Sequence, residues 1–147
     1  LYGPAFSFDE RILAAVGDAA VGVKNGSQWT HDIENDASKQ FVEAFKKEYG
    51  RTPTLYAAQG YDTARLIGSG LKATDGNVDD LASLRSAIKK ADFDSVRGKF
   101  KFGANQHPVQ DIYIREVVKT ADGGYTNKTL KKVFVDRADA YVDQCKM

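Results

Sequence analysis

Scarcity narrows the reading first. The 147 residues include one cysteine, one tryptophan, one methionine, two histidines and three prolines. A lone thiol, Cys145, closes no internal disulfide, so cysteine usage leaves the compartment open. His31 and His107 stand far apart in polar stretches, without the H-x-x-x-H or C-x-x-C spacing that converges ligands on a metal, so no metal site is expected. No apolar run approaches the ~20 residues that cross a bilayer. The formal net charge is +1 with Lys and Arg scattered along the chain, which argues against nucleic acid as a partner. There is no G-x-x-x-x-G-K-[ST] cradle, no G-x-G-x-x-G after a strand and no G-x-S-x-G elbow. Nucleotide chemistry and a serine nucleophile are therefore disfavoured, no cofactor is expected, and the chain reads as a non-enzyme.

What remains is an ordinary globular composition, 42% hydrophobic and 28% charged, in a chain long enough to bury a core. It opens at Leu1 without an initiator Met or a targeting segment, so a piece of a longer protein is expected. Asp9 caps a helix over 9–16 that Gly17 stops. Ala19 to Lys24 reads as a strand. Asn35 or Asp36 opens an amphipathic helix carrying Phe41, Ala44, Phe45 and Tyr49, closed by Gly50.

Pro53 and Thr54 precede a third helix with a face of small residues through Ala57, Tyr61, Ala64, Gly68 and Leu71, ending at Gly68-Ser69-Gly70. Asp79 or Asp80 caps a fourth, with Leu81, Leu84, Ile88 and Ala91 on one side. The period then changes to two. Val96, Gly98, Phe100 and Phe102 predict a strand, as do residues 112–118 and 128–135, joined by a turn at Asp122-Gly123-Gly124. Asp136 is expected to cap a closing helix through Gln144. The polar stretches Asn25 to Asn35 and Gly103 to Pro108 are candidate crossings between lobes.

Gly3-Pro4, Gly17-Asp18-Ala19-Ala20-x-Gly22, Asn35-Asp36-Ala37-Ser38-Lys39, Lys47-Glu48-Tyr49-Gly50-Arg51-Thr52-Pro53, Tyr56-Ala57-Ala58 and Gly60-Tyr61-Asp62 form an ordered series. Later pieces continue it, from Ser95-Val96-x-Gly98-x-Phe100-x-Phe102 through Pro108 into Asp111-Ile112-Tyr113-Ile114. The series resembles the C-terminal part of periplasmic solute-binding proteins of the leucine/isoleucine/valine-binding type. That resemblance implies an α/β fold that is a portion of a two-lobed clamp with Rossmann-like lobes and hinge crossings. Residues 1–28 and 110–147 would belong to the second lobe, and 29–109 to the first.

It further implies a binding component of an ABC transporter, periplasmic or lipid-anchored outside the cell. Its partners would be a small-molecule ligand, a membrane permease and an N-terminal part of the same protein. In members that bind amino acids, an acid follows the Gly-Pro turn and pairs with the ligand's ammonium; here that position is Ala5. A buried ammonium without a carboxylate costs several kcal/mol, so the expected ligand is a carboxylate without an amino group, aromatic or aliphatic. Tyr2, Ala5, Phe6 and Tyr56 are the candidate binding residues, with Trp29 near the first crossing, because aromatic rings stack favourably on an aromatic acid. The alternatives are branched-chain amino-acid binding, the ligand-sensing domain of a receptor on the same fold, and an enzyme on a similar scaffold.

Overall fold

In a computed structural model, described over residues 1–144, strands and helices share one mixed sheet and its cover. Cys145 lies outside the described residues. Strand β1 (Tyr2–Pro4) leads through a 3-10 turn, Ala5–Phe8, into α1 (Glu10–Val16), and the chain returns as β2 (Lys24–Ser27), parallel to β1. Three helices follow: α2 (Asp36–Tyr49), α3 (Leu55–Ala73) and α4 (Leu81–Lys89). A two-residue strand β3 (Lys101–Phe102), a long β4 (Pro108–Lys119) and β5 (Tyr125–Arg137) complete the sheet. β4 is its hub, since β2, β3 and β5 all pair with it antiparallel.

The helix starts follow their caps. Asp9 accepts from Arg11 N–H, Asn35 from the N–H groups of Ala37 and Ser38, Thr54 from Ala57 N–H and Asp80 from Ser83 N–H. Each satisfies an N–H that the helix itself cannot. Gly17 at φ 65° and Gly50 at φ 64° stop α1 and α2 in backbone regions that a side chain disfavours.

Five expectations are corrected. Residues 17–20 form a 3-10 turn, and the strand starts only at Lys24, because Gly17 and Gly22, at φ 81°, both turn the chain with positive φ. The predicted strand 96–102 shrinks to Lys101–Phe102: Gly98, at φ 90°, closes a tight turn with its N–H on Ser95 O at 3.1 Å. Asp136 caps no helix; its N–H donates to Asp111 at 3.0 Å, which extends β5 to Arg137 and leaves only a 3-10 turn, Val142–Gln144. Helix α3 runs through Gly68-Ser69-Gly70 to Ala73, and Gly70 is there for contact: a Cβ would come within 2.5 Å of Ile88 Cγ1 on α4. The small-residue face at Ala64 and Gly68 is exposed, whereas Leu55, Ala58, Asp62 and Gly70 face inward.

Two apolar clusters hold the layers. The larger joins Ala5, Trp29, Ile33, Phe41, Val42, Leu55, Ala58, Val96 and Tyr113, and so binds α2 and α3 to the sheet. Trp29 is its anchor, edge-on to Phe41 at 6.0 Å, with its indole N–H donating to Ser38 Oγ at 3.0 Å. The buried ring thus keeps a partner for its one polar group. The smaller joins Leu13, Ala20, Val23 and Val117 beneath α1.

Candidate functional site

The Gly3-Pro4 bend is built by an aromatic folding back on the chain. Phe8 lies against Gly3 so closely that a Cβ there would sit 2.5 Å from the ring. The 3-10 turn between them carries Phe6 outward, 57% exposed, and Tyr2 on β1 is 76% exposed. Tyr56, second residue of α3, is 56% exposed. Three large aromatic surfaces thus remain open to solvent, whereas Ala5 at 5% and Trp29 at 2% lie in the core behind them. Trp29, the candidate near the first crossing, is thus packed in the core with no exposed face. Because the β1 turn and α3 bury Ala5 and Leu55 in one cluster, the Phe6 turn and Tyr56 come from adjoining elements. Among the described residues, a concave space of about 650 Å³ lies away from these rings, among Glu34, Arg65, Phe93 and Lys99.

The acids beside the turn are already engaged. Asp9 is buried and uses both oxygens: Oδ1 accepts from Arg11 N–H at 3.3 Å, and Oδ2 from Leu55 N–H at 3.1 Å. Glu10 accepts from Asn127 N–H at 3.0 Å, Asn127 Nδ2 at 2.7 Å and Thr126 Oγ1 at 3.2 Å. Neither presents a free carboxylate oxygen at the Ala5 turn.

Beneath the turn lies a polar group that sequence reasoning missed. Arg115 on β4 is buried, and its Nε and Nη2 donate to Asn25 Oδ1 at 2.8 and 2.6 Å, with Nη2 reaching Ala5 O at 3.5 Å. Asn25 donates in turn to Asn127 Oδ1 at 2.8 Å. Desolvation lowers the Arg115 pKa, and the charges of Glu10, Asp9 and Asp32 oppose that shift. At the next loop, desolvation pushes the Asp32 carboxyl up, but hydrogen bonds from the Thr129 hydroxyl and N–H and from Thr30 outweigh it and hold the group below its ordinary range. A signal for Arg115 does exist in the chain: it falls two residues from both Tyr113 and Val117, in phase with the buried face of a strand, where a charge demands partners.

The motif residues converge elsewhere, on the turn at 95–98. Buried Asp62 accepts from Ser95 Oγ at 2.6 Å, Val96 N–H at 2.9 Å and Arg97 Nε at 2.9 Å. Asn35, while capping α2, donates to Ser95 O at 3.1 Å and Val96 O at 3.3 Å. Three separate sequence motifs are therefore one structural joint.

This framework is that of the periplasmic binding proteins, and the chain belongs to that family, whose model matches residues 1–124. Leu/Ile/Val-binding protein homolog 6 of Brucella abortus (strain 2308) is 31% identical over 134 residues, which is 89% of this chain and 34% of that relative. Among solved structures, an ABC transporter solute-binding protein from R. palustris in complex with benzoate shares 35% identity at a TM-score of 0.88, covering 100% of this chain and 39% of that one. A solute-binding protein from Rhodopseudomonas palustris BisB5 in complex with 3,4-dihydroxy benzoic acid shares 36% identity at a TM-score of 0.82, covering 95% and 38%. The chain thus spans about a third of the curated relative's length and about two-fifths of these solved chains. The expected α/β portion of a two-lobed binding fold and the resemblance drawn from the motif series both hold.

Proposed function

We propose that this chain is part of the solute-binding component of an ABC importer, periplasmic or lipid-anchored, that captures a small aromatic carboxylate without an amino group. Residues 1–28 and 110–147 contribute to one lobe and 29–109 to the other, the rest of the clamp coming from an N-terminal part of the same protein. Tyr2, Phe6 and Tyr56 supply the walls, and Ala5 and Trp29 back them from the core. The protein passes its ligand to a membrane permease unaltered.

One observation carries the choice of ligand. The position after the Gly-Pro turn is an alanine, and the two acids nearby, Asp9 and Glu10, spend their oxygens on backbone and side-chain donors. An ammonium brought against this turn would meet no carboxylate at position 5 and would have to displace those donors to pair with Asp9 or Glu10, which disfavours it. A benzene ring meets aromatic faces there instead. The relatives in complex with benzoate and 3,4-dihydroxy benzoic acid support the same choice.

The test is calorimetric titration and thermal shift of the full-length protein with benzoate, 4-hydroxybenzoate, octanoate, leucine and valine. Aromatic acids are expected to bind and raise the melting temperature, with leucine and valine silent. Stabilisation by leucine alone would defeat the reading.

A further inference from the structure

Asp9 does more than cap a short helix. Leu55 is the first residue of α3, so its N–H has no acceptor within its own helix. The acceptor it does have is Asp9 Oδ2, 46 positions earlier in the chain, in a buried bond of 3.1 Å. One carboxylate therefore terminates two helices at once. It holds the Ala5–Phe8 turn, which ends next to it, against the start of α3, where Tyr56 follows Leu55. Ala5 and Leu55 pack in the same apolar cluster, so the bond sits at the seam between the two elements.

We propose that Asp9 is a positioning residue for ligand capture: its carboxylate registers the Phe6 turn against the Tyr56 end of α3 by tying Leu55 N–H. This rests on the function proposed above. The bond lies inside the apolar cluster that Ala5 and Leu55 share, so it fixes how the two aromatic-bearing elements face each other. Leu55 N–H there meets a desolvated carboxylate, and such a charge-assisted bond is stronger than a neutral one. Ligand and tie then favour the same state, and each strengthens the other.

Asp9→Ser separates the two roles. Serine is a good N-cap and keeps α1, but its single, shorter oxygen cannot also reach Leu55. Asp9→Asn is the second variant: its amide keeps one acceptor and turns a donor toward the other N–H. Three measurements are made on the full-length protein: amide exchange at Leu55, the unfolding midpoint, and the benzoate Kd.

In the wild type, Leu55 exchange is expected to be slow and slower still with benzoate. In Asp9→Ser it rises at least about tenfold while the α1 amides stay near wild type, the unfolding midpoint falls as an orphaned buried N–H requires, and benzoate binds about tenfold more weakly, the worth of one hydrogen bond to a charged group. Unchanged Leu55 exchange in Asp9→Ser, or raised exchange with unchanged benzoate affinity, overturns the proposal. A wild-type protein that binds none of the acids defeats the proposed function instead. The tie is then judged by Leu55 exchange alone, where a rate unaltered in both variants overturns it and a raised one upholds it.

Discussion

The turn at 95–98 and the aromatic surface at Tyr2, Phe6 and Tyr56 differ in how their residues are held. At the turn, Asp62 and Asn35 reach in from two helices, and the hydroxyl of Ser95, the N–H of Val96 and the Nε of Arg97 all find acceptors within 3.1 Å. At the surface, three large rings stand more than half exposed, with no partner demanded of them. The first region is specified by many mutual constraints, so changing one member strands the others. The second is specified by little beyond shape and chemistry toward a ligand. Family membership is written in the first, and the proposed function places ligand choice in the second.

Substitutions in the frame should therefore unfold the protein, and substitutions in the walls should not. Trp29→Ala is expected to cost the most, roughly 3–5 kcal/mol in denaturant unfolding of the full-length protein, because it empties the centre of the larger cluster. Asp62→Ala follows at about 3 kcal/mol, since it leaves the Arg97 guanidinium and the Val96 N–H without their acceptor. A loss under about 1 kcal/mol for either would erase the contrast drawn here.

Tyr56→Ala sharpens it from the other side. The unfolding free energy should move by no more than about 0.5 kcal/mol, while titration calorimetry shows benzoate affinity falling by about tenfold. Smallest is the effect at Asp32. Its carboxyl lies below the ordinary value of 3.8, so its contribution is complete above that pH and is lost as the pH falls through the lowered folded value. Asp32→Asn should flatten the acid limb of a stability-versus-pH curve, measured by urea midpoints from pH 2 to about 6, by lowering the plateau near pH 6 slightly and leaving the most acid points nearly unchanged.

The contrast also explains what could be read in the chain itself. Helices α2 and α3 were legible because their signals are local: Asn35 and Thr54 cap within three residues, and apolar positions recur at helical spacing. The strand expected at 96–102 failed for a distant reason. Asp62 gathers residues 95–97 into a turn, and Phe93, Phe100 and Phe102 stack on one another, at 5.4 and 5.2 Å, instead of alternating across a sheet. Asp136 looked like a cap because nothing nearby reveals that Asp111 awaits its N–H across the sheet.

At the candidate site, aromatic content marked Tyr2, Phe6 and Tyr56, and the structure leaves their rings open. The inward turn of Ala5 and Trp29 depends on the packing of residues far along the chain, as do the second bond of Asp9 and the network around Arg115. Periodicity carries no information about such partners.

That network has a consequence for how the sheet assembles. Side chains alternate along a strand, so sliding β4 by a single residue against β2 would swing Arg115 to the opposite face and bring Ile114 or Glu116 under the Ala5 carbonyl. A stranded cation on one side and an orphaned Asn25 on the other make the slipped arrangement costly. The alignment of β4 against β2 is thus proofread by a charge as well as by the backbone ladder.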